Sequence, residues 1–79
     1  MAMIVHNWRM GFDVVLRGYD RREVDALVER AKEASSSSDP VLRSAVREEL
    51  RAARPLVVLR GYDRSQVDSF FKAMLNELG

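Results

Sequence analysis

The stretch Val14-Val-Leu-Arg-Gly-Tyr-Asp-Arg21 decides the fold, because the same eight residues return at Val57 to Arg64. Each copy is followed two residues later by Val-Asp, at positions 24–25 and 67–68. The spacing between the copies is constant at 43 residues. An identical octapeptide at a constant offset indicates a tandem duplication of one small unit. We predict one domain, residues 1–79, made of repeat 1 (12–34) and repeat 2 (40–79).

The composition is that of a small globular domain. Of the 79 residues, 47% are hydrophobic, the net charge is +1 and none is cysteine. Neither a disulfide nor a thiolate metal site can therefore stabilise the fold. A chain of this length buries only about 60% of its unfolded surface, which favours a homo-oligomer, with a dimer preferred. No segment has the ~20 apolar residues of a membrane span, and no signal peptide is recognisable, so we expect a cytoplasmic protein.

Each repeat has the pattern of a strand, a turn and a helix. The valine-rich stretches Phe12–Leu16 and Leu56–Leu59 are typical of short strands. Gly18 and Gly61 follow, and glycine at such a place supplies a positive φ or allows a close backbone approach. The predicted fold is α+β, with the order β-α-α-β-α, a pseudo-twofold axis and antiparallel pairing of the two strands. The alternative is a mostly α-helical fold in which these segments form crossed loops.

Capping signals mark the start of each repeat helix. We predict Asp20 as the N-cap residue, Glu23 as its capping-box partner, and Tyr19 as the N′ half of a hydrophobic staple. Repeat 2 carries the same signals in Tyr62, Asp63 and Gln66. Helix capping therefore accounts for these six residues without a catalytic role.

The helix that ends the chain has the widest apolar stripe. Its spacing is that of an amphipathic helix, and we predict that it joins subunits through Phe70, Phe71, Met74, Leu75 and Leu78. The stripe of the first helix, from Val24 to Ala31, is thinner. Residues 1–11 contain Trp8 but no clear period, and we expect an arm that packs on the core or reaches a neighbouring subunit.

A middle helix is predicted from Pro40 to about Ala53 or Arg54. Asp39 is its N-cap and Pro40 its first residue, and Pro55 limits its end. One face is apolar, with Leu42, Val46, Leu50 and Ala53. The opposite face is basic, with Arg43, Arg47, Arg51 and Arg54. This basic face either binds an acidic partner, such as a membrane or a nucleic acid, or is simply solvated.

The residues give no support for catalysis or for a cofactor. Asp20, Glu23 and Asp25 form an acidic cluster in repeat 1, but capping explains two of them and repeat 2 replaces Glu23 by glutamine, so we predict no metal site. His6 is the single histidine, and without a nearby acid or a cysteine it forms no nucleophile–base pair. We therefore predict no enzyme, no cofactor and no small-molecule substrate.

The duplicated motif has the order Phe-x4-Arg-Gly-Tyr-Asp-x3-Val-Asp. Repeat 1 matches it from Phe12 to Asp25, and repeat 2 matches it up to Asp68, with Pro55 in place of the aromatic residue. The motif resembles the N-terminal domain of the bacterial DivIVA cell-division and polarity proteins, over residues 12–31 and 40–75. This chain departs from that family in having no sustained heptads of a coiled coil after the repeats.

The resemblance implies a non-enzymatic scaffold that self-associates through helices. It also implies that each Arg-Gly-Tyr-Asp loop presents an apolar side chain and an arginine to a membrane. By position these are Leu16 with Arg17 and Leu59 with Arg60. The alternative from the residues themselves is that both leucines lie in the core and that the arginines pair with Asp25 and Asp68.

We therefore expect a non-catalytic assembly module in cell division or envelope organisation. Its partners would be another protein, an anionic membrane surface or both, which would place it peripherally at the membrane. The alternative is a small regulator that binds nucleic acid through the basic helix. The low net charge and the lack of aromatic residues among the arginines make nucleic acid the weaker expectation.

Overall fold

The computed structural model describes residues 11–79. Two strands and three helices follow one another as β1 (Val14–Tyr19), α1 (Arg21–Ser35), α2 (Pro40–Ala52), β2 (Val57–Tyr62) and α3 (Arg64–Leu78). The α+β fold class and the order β-α-α-β-α are confirmed. Every element of repeat 1 begins and ends 43 residues before its counterpart in repeat 2, so the duplication extends to secondary structure. The expectations for Trp8 and His6 lie outside the described residues.

The two strands pair antiparallel, as predicted. Cα partners run in opposite directions along the chain, from Val14 with Tyr62 to Tyr19 with Val57, and the register is irregular. Both strands are longer than predicted, because they continue past the Leu-Arg dipeptides through Gly18 and Gly61. The glycines therefore lie within strands and do not end them.

A close approach between backbones explains both glycines. A Cβ atom on Gly18 would lie 2.3 Å from the carbonyl carbon of Gly61, and one on Gly61 would lie 2.6 Å from that of Gly18. Both residues are buried, and neither has a positive φ. Of the two reasons for glycine, the close approach is the one that applies here.

The two strand segments cross at this glycine pair. Tyr62 has two neighbours in repeat 1, Val14 and Tyr19, so the end of β2 lies between the beginning and the end of β1. Tyr19 in turn lies between Tyr62 and Val57. The crossing that the all-helical alternative required thus occurs within a short sheet.

Two backbone hydrogen bonds close the crossed segments where the helices begin. The Asp20 N–H donates to the Leu56 carbonyl at 2.8 Å, and the Asp63 N–H donates to the Asp13 carbonyl at 2.8 Å. Asp63 is the counterpart of Asp20, and Asp13 is the counterpart of Leu56, at an offset of 43 residues. The two bonds are therefore equivalent, as a pseudo-twofold relation between the repeats requires. Each strand therefore begins and ends against the other repeat.

The core lies between the three helices. Its buried hydrophobic side chains, within the described part of the chain, are Val24, Ala31, Ala34, Val46, Leu50, Val67, Phe71, Met74 and Leu78. The α3 stripe predicted to join subunits therefore needs correction: Phe71, Met74 and Leu78 are buried inside the chain, and Phe70 and Leu75 are partly buried against the same core. The stripe is apolar because α1 and α2 pack on α3. Most of this face is therefore buried within the chain.

The predicted helix starts are correct, whereas the capping boxes are not. Asp20, Asp39 and Asp63 occupy the N-cap positions. The Asp63 carboxylate accepts from the Gln66 N–H at 3.1 Å, but the Asp20 side chain makes no cap hydrogen bond. Glu23 and Gln66 reach across to the other repeat, because the crossed segments bring the start of each strand within range of the opposite helix.

These cross-repeat contacts involve the residue before each strand. Gln66 exchanges two hydrogen bonds with Asp13, accepting from its N–H at 2.8 Å and donating to its carboxylate at 3.0 Å. The Glu23 carboxylate accepts from the Leu56 N–H at 3.4 Å, which is a weaker version of the same contact. Among residues 11–79, no helix has the length and apolar character needed to cross a membrane.

Candidate docking site at the strand tips

The most exposed large hydrophobic side chains concentrate on the strands. Leu16 is 72% exposed and Leu59 is 73% exposed, and Val14, Val57 and Leu56 are exposed beside them. Outside this region, Val41 at the start of α2 is the remaining large hydrophobic residue with comparable exposure among those described. The alternative that both leucines lie in the core is therefore wrong.

The Leu16-Arg17 and Leu59-Arg60 dipeptides, here called the tips, lie midway along the two crossed segments. Each crossed segment starts and finishes at the helix end, where Asp20 bonds to Leu56 and Asp63 bonds to Asp13. Each tip therefore lies at the middle of a segment whose two ends are hydrogen-bonded to the other repeat.

The tips are also close to one another. The Cα partner of Leu16 is Arg60, the neighbour of Leu59 in sequence. Paired Cα atoms in an antiparallel sheet are about 4.5–5.5 Å apart and consecutive Cα atoms about 3.8 Å apart. The two leucine Cα atoms are therefore no more than about 9 Å apart.

The tip arginines are not held by the aspartates that the sequence offered as partners. Arg17 and Arg60 are exposed, and the ion pairs found within residues 11–79 are Arg30–Glu33, Arg30–Glu49 and Arg51–Glu48. Asp25 and Asp68 accept hydrogen bonds from tyrosines instead. Each tip therefore combines an exposed leucine with an exposed arginine.

The aspartates of the Val-Asp pairs bind the tyrosines of the opposite repeat. The Tyr19 hydroxyl donates to Asp68 Oδ1 at 2.9 Å, and the Tyr62 hydroxyl donates to Asp25 Oδ1 at 2.8 Å. Burial, followed by the hydrogen bond to a carboxylate, raises the pKa of both tyrosines above 10.0. These reciprocal bonds fasten the crossed segments to the helices behind them.

Sequence reasoning missed this role for the tyrosines and the aspartates. It treated each tyrosine as the N′ residue of its own helix, and both tyrosines do pack against the core. The available signal was that Tyr and Val-Asp recur at the same spacing in both copies. The acidic cluster of repeat 1 is explained as well: Asp25 binds Tyr62, and Glu23 binds the Leu56 N–H. No group of three or more metal-ligating side chains occurs in residues 11–79.

Two arginines of the predicted basic face hold the helix ends together. Arg43 donates to the Ala34 carbonyl at the end of α1, to the Ser37 carbonyl just beyond it, and to the Glu77 carbonyl at the end of α3 at 2.9 Å. Arg47 donates to the Leu78 carbonyl at 3.2 Å. The last carbonyls of a helix have no partner within the helix and carry its negative dipole end. Arg43 and Arg47 therefore act as C-terminal caps supplied by a neighbouring helix.

The other two arginines of this face are exposed. Arg51 pairs with Glu48 one turn earlier at 2.6 Å, and Arg54 donates to the nearby carbonyls of Arg51 and Ala53. The four arginines thus do not form one free basic surface. Half of the face is committed to internal packing, which could not be recognised from the helical wheel.

One repeat departs from symmetry at its tip. Arg17 has a φ of 61°, in the left-handed region, whereas Arg60 does not have a positive φ. This conformation costs a non-glycine residue about 1–2 kcal/mol. Beside it, an open groove of about 460 Å³ lies between the tip of repeat 1 and the start of α3.

Comparison of the chain with protein-family models, with curated proteins and with solved structures found no match.

Proposed function

We propose that this chain is a non-catalytic docking and assembly module similar to the DivIVA N-terminal domain, acting in cell division or envelope organisation. Its docking site is the pair of tips, and its partner is an anionic membrane surface. The observation that carries the proposal is the exposure of Leu16 and Leu59, 72% and 73%, beside arginines without a carboxylate partner in the described chain.

The tips have the chemistry that a lipid interface selects. Burying an exposed leucine side chain contributes about 1.5–3 kcal/mol, which is a large free energy for so small a surface. Each basic residue near an anionic leaflet adds about 1 kcal/mol. The leucine would enter the boundary between headgroups and acyl chains, while the guanidinium stays with the phosphates.

The proposed setting is cytoplasmic and peripheral to the membrane, with a homodimer as the preferred assembly. Because Phe71 and Leu78 are buried in the chain itself, any dimer would use another surface, such as the partly buried Phe70 and Leu75. Light scattering gives the solution mass directly. If the partner at the tips is a protein, the wild type should not bind vesicles, and the tip variants should no longer bind that protein.

Vesicle co-sedimentation tests the membrane proposal. The double variant Leu16→Glu/Leu59→Glu should lose binding to anionic vesicles, because two carboxylates replace the apolar contacts. The matched control is Val41→Glu, since Val41 is 75% exposed but lies on α2, and a glutamate is tolerated in the first turn of a helix. The control should bind like the wild type. Equal sedimentation of wild type and double variant would reject the tips as the docking site.

Nucleic-acid binding through the basic face is the less supported alternative. Arg43 and Arg47 already donate to helix carbonyls, and Arg51 pairs with Glu48. A regulator of this kind would bind DNA with an affinity that falls steeply with salt. DNA binding that is steep in salt and sensitive to Arg51→Ala, in a protein that ignores vesicles, would favour this alternative.

A further inference from the structure

We propose that an open groove beside the end of α3 binds a phosphate group, either inorganic phosphate or the phosphate of a small soluble monoester. The groove has a volume of about 480 Å³ and lies between the first turns of α2 and the end of α3. Arg43, Arg47, Ser38 and Ser44 supply its polar lining. The strands adjoin the starts of α1 and α3, so the length of a 15-residue helix, about 22 Å, separates this groove from the crossed strands.

The groove holds positive charge that no carboxylate balances within residues 11–79. Arg43 and Arg47 are half-buried, and neither belongs to the ion pairs found in that range. Both donate to carbonyls at helix ends, but such an end carries only about half a negative charge. Coulombic attraction is stronger away from bulk water, so this excess of positive charge favours a bound anion.

Two acidic residues next to the groove in sequence have other partners. The Asp39 carboxylate accepts from the Val41 N–H at 2.9 Å and caps α2. The Glu77 carboxylate accepts from the Ser35 hydroxyl. Neither side chain lines the groove, which leaves its arginines open to an anion from solution.

Both guanidinium groups still have unused N–H donors. A guanidinium carries five N–H groups. Arg43 donates three hydrogen bonds to main-chain carbonyls. Arg47 donates to the Leu78 carbonyl at 3.2 Å and makes a long contact of 3.5 Å with the Ser44 hydroxyl. An anion can therefore bind in the groove while the helix ends stay capped.

A tetrahedral anion suits this set of donors better than a carboxylate does. The donors are two guanidinium groups and the hydroxyls of Ser38 and Ser44. A carboxylate has two oxygens, and the fork of one guanidinium already satisfies both. A phosphate has further oxygens, which can accept from the second guanidinium and from a hydroxyl. Ser38 also lies just before α2, whose N-terminal N–H groups favour an anion.

Thermal unfolding of the full chain with and without phosphate tests the site. Inorganic phosphate is added at constant ionic strength, with sodium chloride as the reference, so that general screening is the same. At ten times its dissociation constant, phosphate should raise the Tm of the wild type by about 5–10 °C. Calorimetric titration should give one site per chain, because α2 has no counterpart in repeat 1 among the described residues.

Arg47→Gln and Arg51→Gln are matched variants. Both remove one charge from α2, but Arg51 does not line the groove. Arg47→Gln should weaken phosphate binding about tenfold or more, because a charged donor is lost, whereas Arg51→Gln should bind like the wild type. Ser44→Ala keeps every charge and should weaken binding about fivefold by the loss of one hydroxyl. Calorimetry below the Tm of each variant measures binding even where the substitution lowers stability.

Equal losses in Arg47→Gln and Arg51→Gln, or no rise in Tm beyond that in chloride, would overturn the site. Vesicles that contain phosphatidic acid distinguish a lipid phosphate from a soluble one. Arg47→Gln should sediment with them like the wild type, and Leu16→Glu/Leu59→Glu should keep the phosphate-dependent rise in Tm. Vesicle binding that requires Arg47, in a protein that does not respond to soluble phosphate, would assign this arginine to a lipid headgroup and also overturn the proposal.

Discussion

Repeat 1 and repeat 2 have the same strand and unlike helices. β1 and β2 share the sequence Val-Val-Leu-Arg-Gly-Tyr and the same burial pattern. α1 and α3 both have 15 residues, but α1 buries Val24 and two alanines whereas α3 buries larger side chains, among them Phe71 and Met74.

The difference follows from what each part touches. Each strand crosses a copy of itself, so the two strands face the same surroundings, and a residue that suits one crossing position suits the other. The helices meet α2, which belongs to repeat 2, has no counterpart in repeat 1 among the described residues, and contacts both α1 and α3. Symmetric contacts thus coincide with identical sequence, and asymmetric packing coincides with divergence.

The helices should respond unequally at positions 28 and 71, which are equivalent in the two repeats. Phe71 is buried, whereas Val28 is only partly buried. We expect Phe71→Ala to lower the free energy of unfolding by about 4 kcal/mol and Val28→Ala by about 1 kcal/mol, for the few methyl groups removed. Urea denaturation measures both. Similar losses would mean that the two helices share the core equally.

The strands should respond equally at the glycine crossing. Gly18→Ala and Gly61→Ala each place a methyl group against backbone atoms that cannot rotate away, and we expect each to cost about 3 kcal/mol. Gly11→Ala is the control, because Gly11 has a φ of +88° but no atom near its Cβ position; it should cost about 1 kcal/mol. Chemical denaturation that finds Gly18→Ala as mild as Gly11→Ala would contradict the crossing.

The α2 helix should distinguish two arginines that look alike on the helical wheel. Arg43→Ala removes charge-assisted hydrogen bonds to carbonyls of α1 and α3 and should cost about 2 kcal/mol. Arg51→Ala breaks an exposed pair with Glu48 and should cost less than about 0.5 kcal/mol. Thermal unfolding of the two variants is the measurement. A larger loss of stability from Arg51→Ala than from Arg43→Ala would mean that Arg43 does not cap the neighbouring helices and belongs to the predicted basic face.

The reciprocal tyrosine bonds should again be equal. Tyr19→Phe and Tyr62→Phe each remove one hydrogen bond to a carboxylate, and we expect about 1 kcal/mol from each in unfolding experiments. Unequal losses would indicate that the pseudo-twofold relation fails behind the tips.

The same tyrosines predict an alkaline loss of stability. The pKa of each hydroxyl is above 10.0 in the folded chain, so folding favours the protonated form. This contribution is fully present below the unfolded pKa of about 10 and is lost as the pH rises through the folded pKa. The double variant Tyr19→Phe/Tyr62→Phe should show a shallower decline in unfolding free energy above pH 10. If the double variant declines as steeply as the wild type, groups other than these two tyrosines cause the alkaline loss of stability.

The smallest expected effect is a difference in stability between glycine substitutions at equivalent positions of the two strands. Arg17→Gly relieves a positive φ and should stabilise the fold by up to about 1 kcal/mol. Arg60→Gly at the equivalent position relieves nothing and should destabilise it by about 0.5–1 kcal/mol, because glycine loses more backbone freedom on folding. Denaturation midpoints that move in the same direction would show that Arg17 carries no extra strain.

Local signals in the sequence were sufficient for much of the fold. The repeated octapeptide indicated the duplication and, with the pseudo-twofold relation, the antiparallel pairing, and its flanking residues indicated the element order. Asp39 and Pro40 marked the start of α2, where the Asp39 carboxylate accepts from the Val41 N–H at 2.9 Å. The starts and ends of these elements depend on residues a few positions apart, whose geometry is set by the helix or strand that contains them.

Contacts between distant positions were decided only by the tertiary structure. Tyr19 and Asp68 are 49 positions apart, and Asp13 and Gln66 are 53 apart; no local period relates them. The same holds for Arg43, whose role depends on where α1 and α3 end. An apolar stripe indicates that a helix face is buried, but it does not identify the element that covers that face. The exposure of Leu16 and Leu59 follows from the crossing of the two strand segments, and only the folded chain defines the geometry of that crossing.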